Sequence, residues 1–115
     1  MIQVGPKTEI MVAINAIDFR CGIDSLCGLI KSQFRLDPFN GKLFIFTNKK
    51  RTGLKILAYD GQGFWFCYKR FSQGKLSWWP TSSAEIVDLD ARNFILLIFN
   101  GDAQNIQFQK NWKKI

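Results

Sequence analysis

A chain of 115 residues, 47% hydrophobic and carrying eleven Phe, four Trp and two Tyr, is long enough for one domain and too apolar for a disordered segment. Its formal net charge of +7 points to anionic partners, while the absence of histidine closes Ser-His-Asp chemistry, Cys-His chemistry and His-ligated zinc. No apolar stretch approaches the ~20 residues of a membrane span, and Met1-Ile2-Gln3-Val4-Gly5-Pro6 lacks the basic-then-apolar order of a secretory signal, so a cytoplasmic protein without membrane contact is expected.

Residues 1–104 read as a single domain without repeats or linkers, and residues 105–115 as a basic tail. In chain order, Glu9 to Ile14 reads as a short strand. Asp18 is placed to cap a helix running to Arg35, because Ile23, Leu26, Cys27, Ile30 and Phe34 recur at helical spacing. Asp37-Pro38-Phe39-Asn40-Gly41 then stops that helix with strong turn residues. Four β-branched and aromatic runs follow: Lys42 to Thr47, Leu54 to Tyr59, Phe64 to Phe71 and Lys75 to Trp79. The punctuation between them is short enough for hairpin loops, which predicts an antiparallel meander of four strands. Glu85 to Leu89 reads as a further edge strand, and Asp90 as the cap of a short apolar helix from Ala91 to Phe99, ended by Asn100-Gly101. The expected fold class is α+β: an antiparallel meander of about four to six strands with one longer and one shorter helix packed on one face.

The charge is unevenly placed. Residues 42–75 hold Lys42, Lys49, Lys50, Arg51, Lys55, Lys69, Arg70 and Lys75 against the single acid Asp60, which equals the whole net charge; the remaining residues balance. Along Phe64 to Phe71, one face carries Trp65, Cys67, Lys69 and Phe71 and the other Phe64, Phe66, Tyr68 and Arg70. Cations beside aromatics on a sheet can hold phosphates by charge and bases by stacking. The candidate nucleic-acid-binding residues are therefore Lys42, Lys49, Lys50, Arg51, Lys55, Lys69, Arg70, Lys75, Trp65 and Tyr68. The same pattern also suits a core of aromatics under a solvated basic face.

Carboxylates could hold divalent ions around a phosphate. Asp18, Asp24, Asp37 and Asp60, however, each sit where a cap or turn uses them, so no metal ligand, catalytic residue or cofactor site is expected. Cys21, Cys27 and Cys67 form no Cys-x-x-Cys pair and read as reduced, mostly buried thiols.

Taken together, these segments resemble the TnpB-type accessory protein encoded by the second reading frame of insertion-sequence family 66, which is unrelated to the RNA-guided nuclease of the same name. The resemblance runs from Asp18-Phe19-Arg20-Cys21-Gly22-Ile23-Asp24-Ser25-Leu26 through Asp37-Pro38-Phe39-Asn40-Gly41-Lys42-Leu43-Phe44-Ile45-Phe46 to the basic loop. It continues through Leu54-Lys55-Ile56-Leu57-Ala58-Tyr59-Asp60-Gly61-Gln62-Gly63-Phe64, then Lys69-Arg70-Phe71, Gly74 and Trp79-Pro80. Two departures stand out: Thr52-Gly53 replaces the usual Asp and basic residue after the Arg run, and Tyr59 replaces the usual Trp. The resemblance implies a non-enzymatic role in bacterial transposition, with DNA at the element ends or target and a separate transposase as partners. Two further readings stay open: a protein that docks on the transposase without touching DNA, and a metal-dependent nuclease.

Protein produced in a reducing cytoplasm is expected to carry three free thiols and no zinc, measured by thiol titration and elemental analysis. One zinc per chain retained after dialysis against a chelator overturns the cysteine reading.

Overall fold

The computed structural model describes residues 7–99. Three of the expected runs form an antiparallel meander: β2 (Leu43–Thr47), β3 (Gly53–Tyr59) and β4 (Phe64–Arg70). Ile45 stands opposite Ile56, and Ile56 opposite Cys67. The first strand, β1 (Ile10–Ala13), does not extend this meander by a hairpin. It lies parallel to β2, with Met11 opposite Phe44, and β5 (Ile86–Leu89) pairs antiparallel on its other side. The sheet therefore has five strands in the order β4-β3-β2-β1-β5. The class is α+β as expected, with one parallel pair in a mostly antiparallel sheet.

Parallel neighbours cannot be joined by a tight turn, so the chain between β1 and β2 crosses a face of the sheet. Helix α1 (Ile23–Ser32) is that crossover. Its Leu26 and Ile30 are fully buried against Met11, Ala13, Phe44, Phe46 and Leu57, with Ile23 and Phe34 at the margin. Helix α2 (Ala91–Ile98) packs Phe94 and Leu97 against Ile10, Val12, Leu43, Ile45 and Leu54. Those residues alternate with the α1 set along each strand, so the two helices cover opposite faces. The expectation of both helices on one face is corrected: strands buried on two sides show near-continuous apolar runs, as Leu43–Thr47 does, and such runs cannot say which face a helix takes.

Two further expectations are corrected. Lys75 to Trp79 forms no strand. Leu76 and Trp79 enter the same core cluster although they are three residues apart, a spacing that strand alternation would send to opposite faces. The Trp79 indole donates to the carbonyls of Ala13 (3.1 Å) and Ile14 (3.2 Å), which ties this segment beneath β1. Asp18 does not cap α1, which starts after Gly22 and ends at Ser32, and Arg35 adopts a left-handed φ of 56° that stops the helix short of its expected end. The Asp18 carboxylate instead receives the Arg20 backbone amide and guanidinium. Asp90 does cap α2, accepting from the Asn93 amide at 2.7 Å. Cys21 and Cys27 are half-buried and Cys67 is exposed, so the thiols are less buried than expected. Among the described residues, no helix is long and apolar enough to cross a membrane. The expected stop at Asn100-Gly101 and the tail over residues 105–115 lie outside the described residues.

Lys55 sits in the core at 5% exposure, on the α1 face of β3. Its ammonium donates to the carbonyls of Phe19 (2.5 Å) and Cys21 (2.8 Å), in the chain leading into α1. The rings of Phe19, Phe66 and Tyr68 stand 4.9, 5.4 and 5.4 Å from it. Charge-assisted hydrogen bonds and ring faces together replace the water this cation has lost.

Emptying the α1 core position with Leu26→Ala is expected to cost ~2–5 kcal/mol in a denaturant titration. Stability unchanged within about 0.5 kcal/mol, as for surface substitutions, would place that helix face in solvent. Lys55→Met keeps most of the side-chain volume but leaves two carbonyls without their donor, for an expected loss of about 1–3 kcal/mol. Lys49→Ala, on an exposed loop, is the comparison and should change stability by less than about 0.5 kcal/mol.

Candidate nucleic-acid interface

The loop between β2 and β3 is closed by its first residue. The Asn48 side chain accepts from the Thr52 amide (2.8 Å) and donates to the Thr52 hydroxyl (2.9 Å), while the Asn48 carbonyl accepts from the Arg51 amide (3.0 Å). An Asx residue at a loop start is the sequence signal for such a clasp, although Asn48 was not singled out from sequence. Arg51 takes a left-handed φ of 58° to complete the turn. Lys49, Lys50 and Arg51 are all exposed as a result.

Two more cations reach the same end of the sheet. Arg70 is opposite Gly53 across β3 and β4. The Phe71 amide then donates to Thr52 (2.9 Å) and the Leu76 amide to the Arg51 carbonyl (2.8 Å), which brings the segment carrying Lys75 alongside the loop. Gly53 makes this approach possible. A Cβ there would lie 2.9 Å from the Lys69 carbonyl and 3.1 Å from the rings of Phe19 and Tyr68. Lys49, Lys50, Arg51, Arg70 and Lys75 thus share one sheet end, and neither residues 48–53 nor residues 70–79 contain an acid.

The other candidates are placed elsewhere. Lys42 forms an ion pair with Glu9 at 3.1 Å, at the opposite end of the sheet. Lys55 belongs to the core. Lys69 donates to the Ile98 carbonyl at the end of α2 and stands over the rings of Phe71 and Phe99, where burial lowers its pKa. Trp65 is 41% exposed on the α2 face, with its indole nitrogen on the Asp60 carboxylate at 2.9 Å. Tyr68 is 55% exposed on the α1 face, edge-on to Phe19. The two rings point to opposite sides of β4, so a single nucleic-acid strand following one face meets only one of them.

Asp18, Asp37 and Asp60 have local partners. The Arg20 guanidinium holds the Asp18 carboxyl down to about 2, and the amides of Gln62 and Gly63 lower that of Asp60. Asp37 accepts from the Phe39 amide at 2.9 Å. Among the described residues, no group of three or more Cys, Asp or Glu side chains could hold a metal ion. A cleft of about 580 Å³ opens at the Lys42 end, lined by Glu9, Asn40, Lys42, Tyr59, Asp60 and Trp65 among others; its charges, counting Lys7, balance.

Residues 8–108 match the family described as IS66 Orf2 like protein. The uncharacterized protein y4hO of Sinorhizobium fredii is 32% identical over 113 residues, covering 98% of this chain and 96% of that protein. A second Sinorhizobium fredii protein, y4jC, is 31% identical over 98 residues, covering 84% of this chain and 83% of its own length. No solved structure matches. The chain belongs to the IS66 Orf2-like family of transposition-associated accessory proteins.

Proposed function

We propose that the protein is a non-catalytic accessory factor that binds DNA phosphates through the basic end of its sheet, and that it works beside the element's transposase. The observation carrying this reading is the gathering of Lys49, Lys50, Arg51, Arg70 and Lys75 at one end, on segments without a single acid. A loop clasped by Asn48 and propped by Leu76 offers these cations with little backbone freedom left to lose on binding. Lys42 lies at the opposite end of the sheet, Lys55 is in the core and Lys69 reaches to the end of α2, so these three stay out of the contact set. Trp65 and Tyr68 also stay out, since their opposed faces do not form one stacking platform.

Five phosphate contacts predict a log-log slope of affinity against salt of about −4.5, at roughly −0.9 per contact on duplex DNA. Replacing Lys49, Lys50 and Arg51 together with Ala is expected to flatten the slope by about 2 to 3 units. Lys42→Ala is expected to leave it unchanged. Fluorescence anisotropy on a labelled duplex, from low to moderate salt, measures all three proteins. A folded triple variant with the wild-type affinity and slope removes the basic end from the mechanism, and docking on the transposase becomes the better reading.

A further inference from the structure

The sheet has two edges of unlike character. β5 is four residues long and carries the exposed Asp88 in its interior, the usual protection against unwanted pairing. β4 is seven residues long, and its first five, Phe64 to Tyr68, include no charge and no proline. Among the described residues no strand covers its outer side.

The backbone of β4 shows which groups are left over. Asp60 donates to Gly63 and Phe71 donates to Thr52, both continuing the β3–β4 register. Hydrogen-bonded pairs alternate along an antiparallel ladder, so Trp65, Cys67 and Lys69 also turn their amides and carbonyls toward β3. Those of Phe64, Phe66, Tyr68 and Arg70 turn outward.

We propose that β4 is a homodimer edge: a second copy of this chain pairs with it antiparallel about Cys67, making one ten-stranded sheet from two five-stranded ones. In this register Phe66 meets the partner's Tyr68 and Phe64 meets the partner's Arg70, and all four residues have outward backbone groups to share. The side chains agree. Arg70 lays the face of its guanidinium on a phenyl ring, which leaves its N–H edge for phosphate, and the Lys69 stem lies against the partner's Trp65, whose indole nitrogen is bonded to the Asp60 carboxylate. Centring the pair on Phe66 or Tyr68 overlaps only about five of the seven strand residues and sets the rest opposite residues outside the strand. Full overlap of β4 thus selects the Cys67-centred pair.

Cys67 then faces its own copy across a non-hydrogen-bonded position, where Cα atoms stand about 4.5 Å apart, within the ~4.4–6.8 Å that a disulfide spans. This makes the thiol a reporter of register. The full chain is expected to sediment at twice the monomer mass. Diamide, which takes up two protons and two electrons from a pair of thiols, is expected to give a covalent dimer that Cys67→Ser abolishes. Cys67→Lys puts two ammonium groups face to face across the two-fold axis and is expected to weaken the dimer about tenfold or more. Because Cys67 is exposed, the folded monomer has room for that side chain, and circular dichroism checks that it folds. A chain that stays monomeric and uncrosslinked overturns the proposal. So does a covalent dimer that survives Cys67→Ser, or a dimer that folded Cys67→Lys leaves undiminished; association would then run through another surface, such as the tail beyond Phe99.

Discussion

The parallel pairing of β1 with β2 is the constraint from which the rest of the architecture follows. Once Met11 stands beside Phe44, both strands run the same way, and the chain between them must cross a face of the sheet. That crossing supplies α1 and one core. It also leaves β1 with a free side, which β5 occupies, and the residue after β5 is Asp90, the cap of α2. The second helix thereby starts on the opposite face and closes the second core. A four-residue strand in the interior of a sheet needs support from both faces. Ala13 and Ile14 receive it from Trp79, whose indole binds their carbonyls across the core.

Charge is sorted by the same frame. Eight cations lie between residues 42 and 75, but they do three different jobs. Lys55 and Lys69 point to opposite faces of the sheet, and each meets a carbonyl of a covering segment, Phe19 and Cys21 on the α1 side and Ile98 on the α2 side. They fasten the layers together. Lys42 balances Glu9 at the end where Asp60 also lies, so that end stays near neutrality. The other five gather at the opposite end, beside the loop between β2 and β3. A mean charge density read from sequence overstates how many cations share one surface and understates how sharply those that do are localised.

Much of this was legible in the residues. The meander strands, the edge strand at Ile86–Leu89, the Asp90 cap and the buried stripe of Leu26 and Ile30 all follow from period and cap chemistry, which are local. What was hidden is non-local. Parallel or antiparallel sense at β1 leaves no mark in four apolar residues, and the face chosen by each helix leaves none in Leu43–Thr47. Asp18 looked like a cap because a cap and a turn use the same carboxylate; the Arg20 guanidinium, two residues on, claimed it for the turn. Lys55 is the most instructive case. Alternation puts it beside Leu57 on the α1 face, where a charge looks misplaced, and its two acceptors come from residues more than thirty positions earlier.

The departure at Thr52-Gly53 connects these points. The resemblance implies an acidic and a basic residue after the Arg run, a pair without net charge; Thr52-Gly53 leaves the balance of the loop unchanged and brings closeness. Thr52 offers its hydroxyl to Asn48 and its carbonyl to Phe71, and Gly53 lets the Lys69 carbonyl and two rings come within the space of a missing Cβ. One of those rings, Phe19, also belongs to the cage around Lys55, so the basic loop leans directly on the element that pins the crossover. A longer or more charged residue at position 53 would push the loop away from β4 and separate Arg51 from Arg70 and Lys75. Cations held at fixed spacing have less conformational entropy to lose on meeting an anion than the same cations on a loose loop. By that reasoning Gly53 preorganises the basic end of the sheet.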